Sequence, residues 1–147
     1  MNNYEINEKT MAIIPISSDI TQIIEEDDRF FVNKNSFEIV DHSCRYFGSS
    51  YEGRHIGSIE MLGISYKTPI LVEETQNIIF FPTVSSRDVK CCWISLNKVE
   101  NYEKKLKKSK IIFKNGYELD LNISIGSLKN QILRSTLLDS IVRKRRK

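Results

Sequence analysis

Residues 41–57, DHSCRYFGSSYEGRHIG, follow the point at Ser36 where the chain leaves an extended period for a helical one. Phe37, Val40, Cys44 and Phe47 recur at spacings of 3, 4 and 3, which puts them on one face of a helix that Ser36 can cap and Gly48 can end. Arg45 stands one step, about 100° of turn, from Cys44, so it is expected beside or away from the buried stripe and free to meet a ligand. Gly48, Gly53 and Gly57 break the backbone three times. The GSSYEG turn offers backbone N–H groups and the hydroxyls of Ser49 and Ser50, a surface suited to a phosphate. A short helix from about Tyr51 to Leu62, interrupted at Gly57, is expected next. The chemistry of the stretch is cationic and aromatic, with no paired carboxylates and no lysine after a glycine-rich loop, so catalysis is not the first reading. Arginine beside tyrosine fits a planar or phosphorylated partner, because a guanidinium forks onto phosphate oxygens and stacks on flat rings.

Before this stretch, TMAIIPI at 10–16 reads as an edge or first strand closed by Pro15. Residues 20–32 fit either a helical turn capped by Asp19 or a strand pair, and the β-branched content with RFFV favours strands. VNKNS at 32–36 is a turn. After it, PILVEE and NIIFFPT form an antiparallel hairpin with a connection of TQ or a longer loop, SSRDVKC links to the strand CWISLNKV, and Trp93 is a core anchor or a stacking platform. KKLKKSK is a solvated stretch. IIFKNGYELDLNIS alternates on both sides of Asn115-Gly116, a dipeptide favoured by type I′ turns, and so reads as a hairpin. The last element, SLKNQILRSTLLDSIVRKRRK, opens at Ser127 as a helix with basic residues at its negative end. Its apolar residues Leu128, Ile132, Leu133, Leu137, Leu138, Ile141 and Val142 spread widely enough for two packing surfaces, one available to a second subunit. Together these elements make one α+β domain over 1–147 with antiparallel hairpins, a central helix and a C-terminal helix.

At 147 residues and 40% apolar composition the chain can bury one hydrophobic core. No apolar run is long enough to span a bilayer, and MNNYEINEKT lacks the basic and apolar regions of a signal peptide, so a cytoplasmic, unexported protein is expected. Cys44, Cys91 and Cys92 are odd in number and two are adjacent, which fits a reducing compartment. The net charge of +3 conceals a polarity: residues 1–28 carry seven acids against Lys9, residues 98–114 seven lysines against two acids, and residues 129–147 seven basic residues against Asp139. Such asymmetry points to a nucleic-acid or anionic-membrane partner, and otherwise to a solubilising surface.

SCRYFGSSYEGR at 43–54, PTVSS at 82–86, CWIS at 92–95, FKNGYELDLNIS at 113–124 and NQILRS at 130–135 closely resemble, in the same order, the ComK family of bacterial competence transcription factors. The resemblance extends from about Ile13 to Leu138. It implies a cytoplasmic, nucleoid-associated activator of DNA-uptake genes that binds AT-rich promoter boxes of double-stranded DNA, largely through the minor groove. It also implies a homo-oligomer, dimer or tetramer on DNA, and a contact with RNA polymerase. Family members generally run on past this point, with a C-terminal portion implicated in activation and in capture by a proteolytic adaptor. A chain that stops at Lys147 puts both properties in question.

On this reading Arg45, Arg54 and Arg134 are the leading DNA contacts, since narrow A-tract grooves attract inserted arginine. Tyr46, Ser49, Ser50, Tyr51, Arg87 and Lys90 complete the DNA-binding set. Lys104, Lys105, Lys107, Lys108 and Lys110 are candidate phosphate contacts without sequence readout, or else an exposed loop far from DNA, and the basic tail 143–147 is a mobile arm or a solvated terminus. Affinity is expected to carry a salt slope of roughly six or more counterions per assembly. Arg54→Ala should weaken AT-box binding with the melting transition nearly unchanged. The competing structural role is that Arg45 or Arg54 pairs with Asp41 or Glu52 to hold the turn. The competing function is a protein-interaction module whose basic faces meet an acidic partner. Cys44 with His42 or His55 lacks the orienting group and oxyanion donor of a catalytic dyad, and adjacent Cys91-Cys92 lacks zinc-ligand spacing, so no enzyme, cofactor or metal is expected.

Overall fold

The computed structural model describes residues 1–146. Three β-branched segments open it as a meander: β1 (Thr10–Pro15), β2 (Thr21–Glu25) and β3 (Arg29–Val32). The strand reading of residues 20–32 therefore holds. β4 (Ile70–Glu73) and β5 (Ile78–Pro82) make the expected hairpin, joined by the longer connection 74–77, and β6 (Trp93–Ser95) seats between β5 and β1. The sheet has six antiparallel strands in the order β3-β2-β1-β6-β5-β4. β1 is thus central and not an edge. Pro15 is tolerated because it sits at the strand's last position and pairs only with Thr21.

Alternation along these strands divides the core between two faces. Ile13, Ile23, Ile70, Val72, Phe80 and Trp93 face one side, and Ala12, Ile24, Phe81 and Ile94 the other. An irregularity between Thr10 and Ala12 lets Met11 and Ala12 join the same cluster.

The first face is covered by α1 (Ser36–Tyr46) and α2 (Tyr51–Leu62). Asn35, not Ser36, caps α1: its side chain accepts from Glu38 N–H while the Glu38 carboxylate accepts from Asn35 N–H, a reciprocal capping box. The Ser36 hydroxyl instead donates to the Cys91 carbonyl at 3.0 Å. Ile39, Val40 and Cys44 are fully buried, with Phe37 and Phe47 packed at the margins of the predicted stripe. Gly48 ends the helix at φ +93°, where a Cβ would be strained. α2 runs without a break through Gly57.

The second face carries a three-stranded sheet, β7 (Val99–Lys105), β8 (Lys108–Phe113) and β9 (Glu118–Leu121), and the helix α3 (Ile125–Arg145). The KKLKKSK stretch is solvated, as expected, and forms a hairpin whose two-residue turn, Leu106-Lys107, is closed by Lys105 opposite Lys108. The second hairpin is present, but not through a type I′ turn. Only Gly116 takes a positive φ there, +90°, and Phe113 and Tyr117 close a longer loop. α3 starts two residues ahead of Ser127, capped by the Ser124 hydroxyl, and buries Leu128, Gln131, Ser135, Leu138 and Val142. Leu133 and Leu137 remain exposed, as expected of a helix with a second apolar surface. The whole is an α+β fold with antiparallel sheets and a C-terminal helix.

Candidate nucleic-acid interface

The antiparallel register fixes which loops share an end of the six-stranded sheet. Thr10, Glu25, Glu73, Ile78 and Ser95 lie toward one end, and Pro15, Thr21, Ile70, Pro82 and Trp93 toward the other. At the first end, residues 7–9, 26–28, 74–77 and 96–98 carry five acids and two lysines. Both lysines are already paired, Lys9 with Asp27 at 3.8 Å and Lys98 with Glu26 at 3.2 Å. At the second end, residues 16–20, 33–35, 64–69 and 83–92 carry Lys34, Lys67, Arg87 and Lys90 against Asp19 and Asp88. The fold thus sorts charge between the two ends of the strands. Of the two turns of the smaller sheet, the lysine-rich β7–β8 turn follows this division, whereas the β8–β9 turn carries Lys114. Asn115 Nδ2 donates to the Glu26 carbonyl at 2.9 Å and anchors the β8–β9 turn at the acidic end, so the β7–β8 turn points the opposite way.

This arrangement separates residues that the sequence reading grouped together. Arg87 and Lys90 are exposed at the cationic end. The Arg87 guanidinium lies over the Phe37 ring, 3.8 Å from its centroid, which holds a planar cation in place. Arg134 borders this end but is tied down: its Nη1 donates to the Tyr66 carbonyl at 3.1 Å, beside Gln131, which bridges to the carbonyls of Lys67 and Pro82. Arg45 and Tyr46 are exposed near the C-terminal end of α1. Arg45 Nε donates to Asp41 at 2.9 Å, the local pairing weighed from the sequence.

Arg54, Ser50 and Tyr51 are occupied by the fold. Arg54 retains only 15% side-chain exposure and pairs with Glu74 at 2.7 Å, not with Asp41 or Glu52. Ser50 accepts from Gly53 N–H as the cap of α2, which fixes its side chain but leaves the hydroxyl proton free to donate. Tyr51 is buried at 7%, edge-on to Phe37 and Trp93 and stacked on His55. Ser49 is half-buried, its backbone N–H bonded to the Cys44 carbonyl. Trp93 is fully buried, so it is a core anchor and offers no stacking platform.

Asp41 knits this region together, accepting from Tyr51 N–H at 2.9 Å and from Arg45. Burial works against its charged form, but the Tyr51 and Arg45 hydrogen bonds and the charges of Arg45 and Arg87 outweigh it and hold the carboxyl below its ordinary value. Among the lysines of the hairpin, Lys105 meets Asp120 at 2.6 Å and Lys110 meets Glu103 and Glu118 at 3.1 and 2.9 Å. Lys104, Lys107 and Lys108 have no carboxylate partner among the described residues. Arg143 is paired with Asp139, Arg146 reaches the Glu74 carbonyl, and Lys147 lies outside the described residues.

Burial pushes the thiols of Cys44 and Cys91 up to about 12 and that of Cys92 to about 11, far from the range of an activated nucleophile. Among the described residues no cluster of three or more His, Cys, Asp or Glu is placed to hold a metal, and no helix is long and apolar enough to cross a membrane. Sequence reasoning passed over two contributors to the site, Phe37 as the platform for Arg87 and Lys67 at the cationic end. Phe37 was read as core from its helical spacing, and nothing local announced a guanidinium arriving from 50 residues away.

The protein family described as ComK protein has a model that matches residues 1–147. A protein of Bacillus subtilis (strain 168) named competence transcription factor is 40% identical over 142 residues, spanning 94% of this chain and 74% of the relative. No solved structure matches the chain.

Proposed function

The chain belongs to the ComK family, and we propose that it is a transcriptional regulator of competence, an activator of DNA-uptake genes that binds promoter DNA directly. One observation carries the physical side of this reading: the loops at one end of the large sheet are net basic, those at the other net acidic. A polyanion is drawn to the first and repelled by the second, which orients the molecule before any base is read. Arg87, seated on Phe37, and Lys90 then meet phosphates, with Lys67 beside them, while Arg45 and Tyr46 stand at the far end of α1, where Phe47 lies against residues of the acidic end. From residue 37 to residue 45 the helix advances about 12 Å, roughly the rise of three to four base pairs.

Readout in this proposal goes through the minor groove of AT-rich boxes, whose narrow channel concentrates negative potential and favours arginine. The protein acts as a homo-oligomer, with the exposed Leu133 and Leu137 of α3 as the available apolar surface, and it contacts RNA polymerase once bound. Fluorescence anisotropy on AT-rich and G·C-rich duplexes at physiological salt, with minor-groove or major-groove blockers, tests it. The expected result is tighter binding to the AT-rich duplex, abolished by the minor-groove blocker alone and weakened by Arg87→Ala. Equal affinity for both duplexes would reject sequence-directed recognition. An absence of DNA binding together with binding to an acidic protein would favour the interaction-module reading.

A further inference from the structure

The turn of the β7–β8 hairpin combines features that do nothing for the isolated fold. Leu106 is 87% exposed and holds φ +56°. It is the first of two turn residues, and Lys107 does not share its positive φ, so the turn asks for glycine where leucine stands. Exposure means that packing does not compensate for this conformation. Lys105 is paired directly opposite Lys108, and like charges facing each other across a ladder are destabilising. Asp120 relieves Lys105, but Lys104, Lys107 and Lys108 surround the leucine without a carboxylate partner among the described residues. Beneath the turn lies an open groove of about 740 Å³ walled by Leu106, Leu121 and Asn122, so the leucine is not seated on its own subunit.

An apolar side chain at the apex of a two-stranded ribbon, ringed by unpaired cations, is complementary to a polyanion that has apolar gaps behind its charge. We propose that this turn is a DNA wedge. Leu106 enters between two base pairs and partly unstacks them, while Lys104, Lys107 and Lys108 hold the phosphates on either side. The wedge rests on the proposal that the chain binds DNA, and it assigns a distinct act to a residue that neither reads bases nor carries charge. The strain at Leu106 then has a use, since a backbone held in a sparsely populated region projects the side chain along the ribbon's axis. The turn lies toward the cationic end, where the loops bearing Arg87 and Lys90 meet the same duplex.

The test uses the full chain and an AT-rich duplex carrying 2-aminopurine at successive steps, with dyes at both ends to report bending. Wild-type protein is expected to raise 2-aminopurine fluorescence about threefold or more at one step and to shorten the end-to-end distance. Leu106→Gly removes the side chain at a position glycine adopts freely, so its melting temperature should equal or exceed that of the wild type. This variant should bind with roughly tenfold lower affinity, lose the fluorescence rise and the bend, and regain near wild-type affinity on a duplex with a mismatch at the unstacked step. Unchanged unstacking by Leu106→Gly, or wild-type binding with no unstacking at any step, overturns the wedge while leaving DNA binding intact. Failure of wild-type protein to bind any duplex rejects the DNA reading and the wedge with it. Leu106-dependent attachment to vesicles of anionic phospholipid, without duplex unstacking, would reassign the turn to a membrane surface and overturn the proposal.

Discussion

Arg54 and Arg87 show how little a residue type says about availability. Both follow serine-rich turns, yet Arg54 is enclosed beside Glu74, with its Nε buried and lacking a partner, whereas Arg87 lies outside on an aromatic ring. Arg54→Ala is therefore expected to lower stability by about 1–2 kcal/mol, roughly 3–6 °C in Tm, because it removes the packed aliphatic stem together with the ion pair. Calorimetry checks this, and an unchanged Tm would return Arg54 to the pool of free cations. The sequence allowed a structural role for Arg54 but named local partners, Asp41 and Glu52. The true partner is 20 residues on, delivered by the β4–β5 turn, and long-range pairing of that kind leaves no trace in local spacing.

Asp41 gives a second prediction at this scale. Its carboxyl is held below its ordinary value in the fold, so ionised Asp41 stabilises the native state above the unfolded pKa near about 3.9, and that stability is lost as pH falls through the depressed value. Glu73 and Glu74 are lowered as well and add to the acid loss. Thermal melts from neutral to strongly acidic pH should show the wild type falling more steeply than Asp41→Asn, which keeps an oxygen for Tyr51 N–H but no charge for Arg45. Parallel curves would contradict the assignment.

Among the elements, α1 and α2 were the most legible and their ends the least. The 3-4-3 spacing located the buried stripe of α1 because a helix repeats side chains on that period, but Ser36 and Asn35 are equally good caps on paper. The Glu38 carboxylate decides between them by closing the capping box on Asn35. Gly57 was read as an interruption of α2, yet an added Cβ there would meet nothing within 4 Å and the glycine has no positive φ. Gly57→Ala is accordingly expected to raise stability by about 0.5–1 kcal/mol, and Asn35→Ala to lower it by about 1 kcal/mol, both measurable by urea denaturation. A destabilising Gly57→Ala would show that the helix needs its glycine. β7 escaped the sequence reading because VENYEKK has no apolar alternation. Its pairing is supported across the ladder, where Glu103 faces Lys110 and Tyr102 faces Ile111.

For the molecule as a whole, composition revealed the polarity of charge along the chain but not its arrangement in space. The acidic N-terminal segment meets part of the lysine-rich stretch 98–114 in the fold: Lys98 pairs with Glu26, and the β8–β9 turn docks beside it. What the fold adds is the sorting of loops between the two ends of the sheet, which depends on strand order and register and so could not be read linearly. Leu106 within KKLKKSK was visible from the start, but its meaning came only with the hairpin that lifts it to an apex.

The most direct test of the account is lysine acylation footprinting, with labelling at each lysine quantified by mass spectrometry before and after saturation with an AT-rich duplex. Protection of Lys67, Lys90, Lys104, Lys107 and Lys108 is expected, with Lys9 and Lys114 at the acidic end labelled as before. Protection of Lys9 and Lys114 with Lys67 and Lys90 unaffected would contradict it.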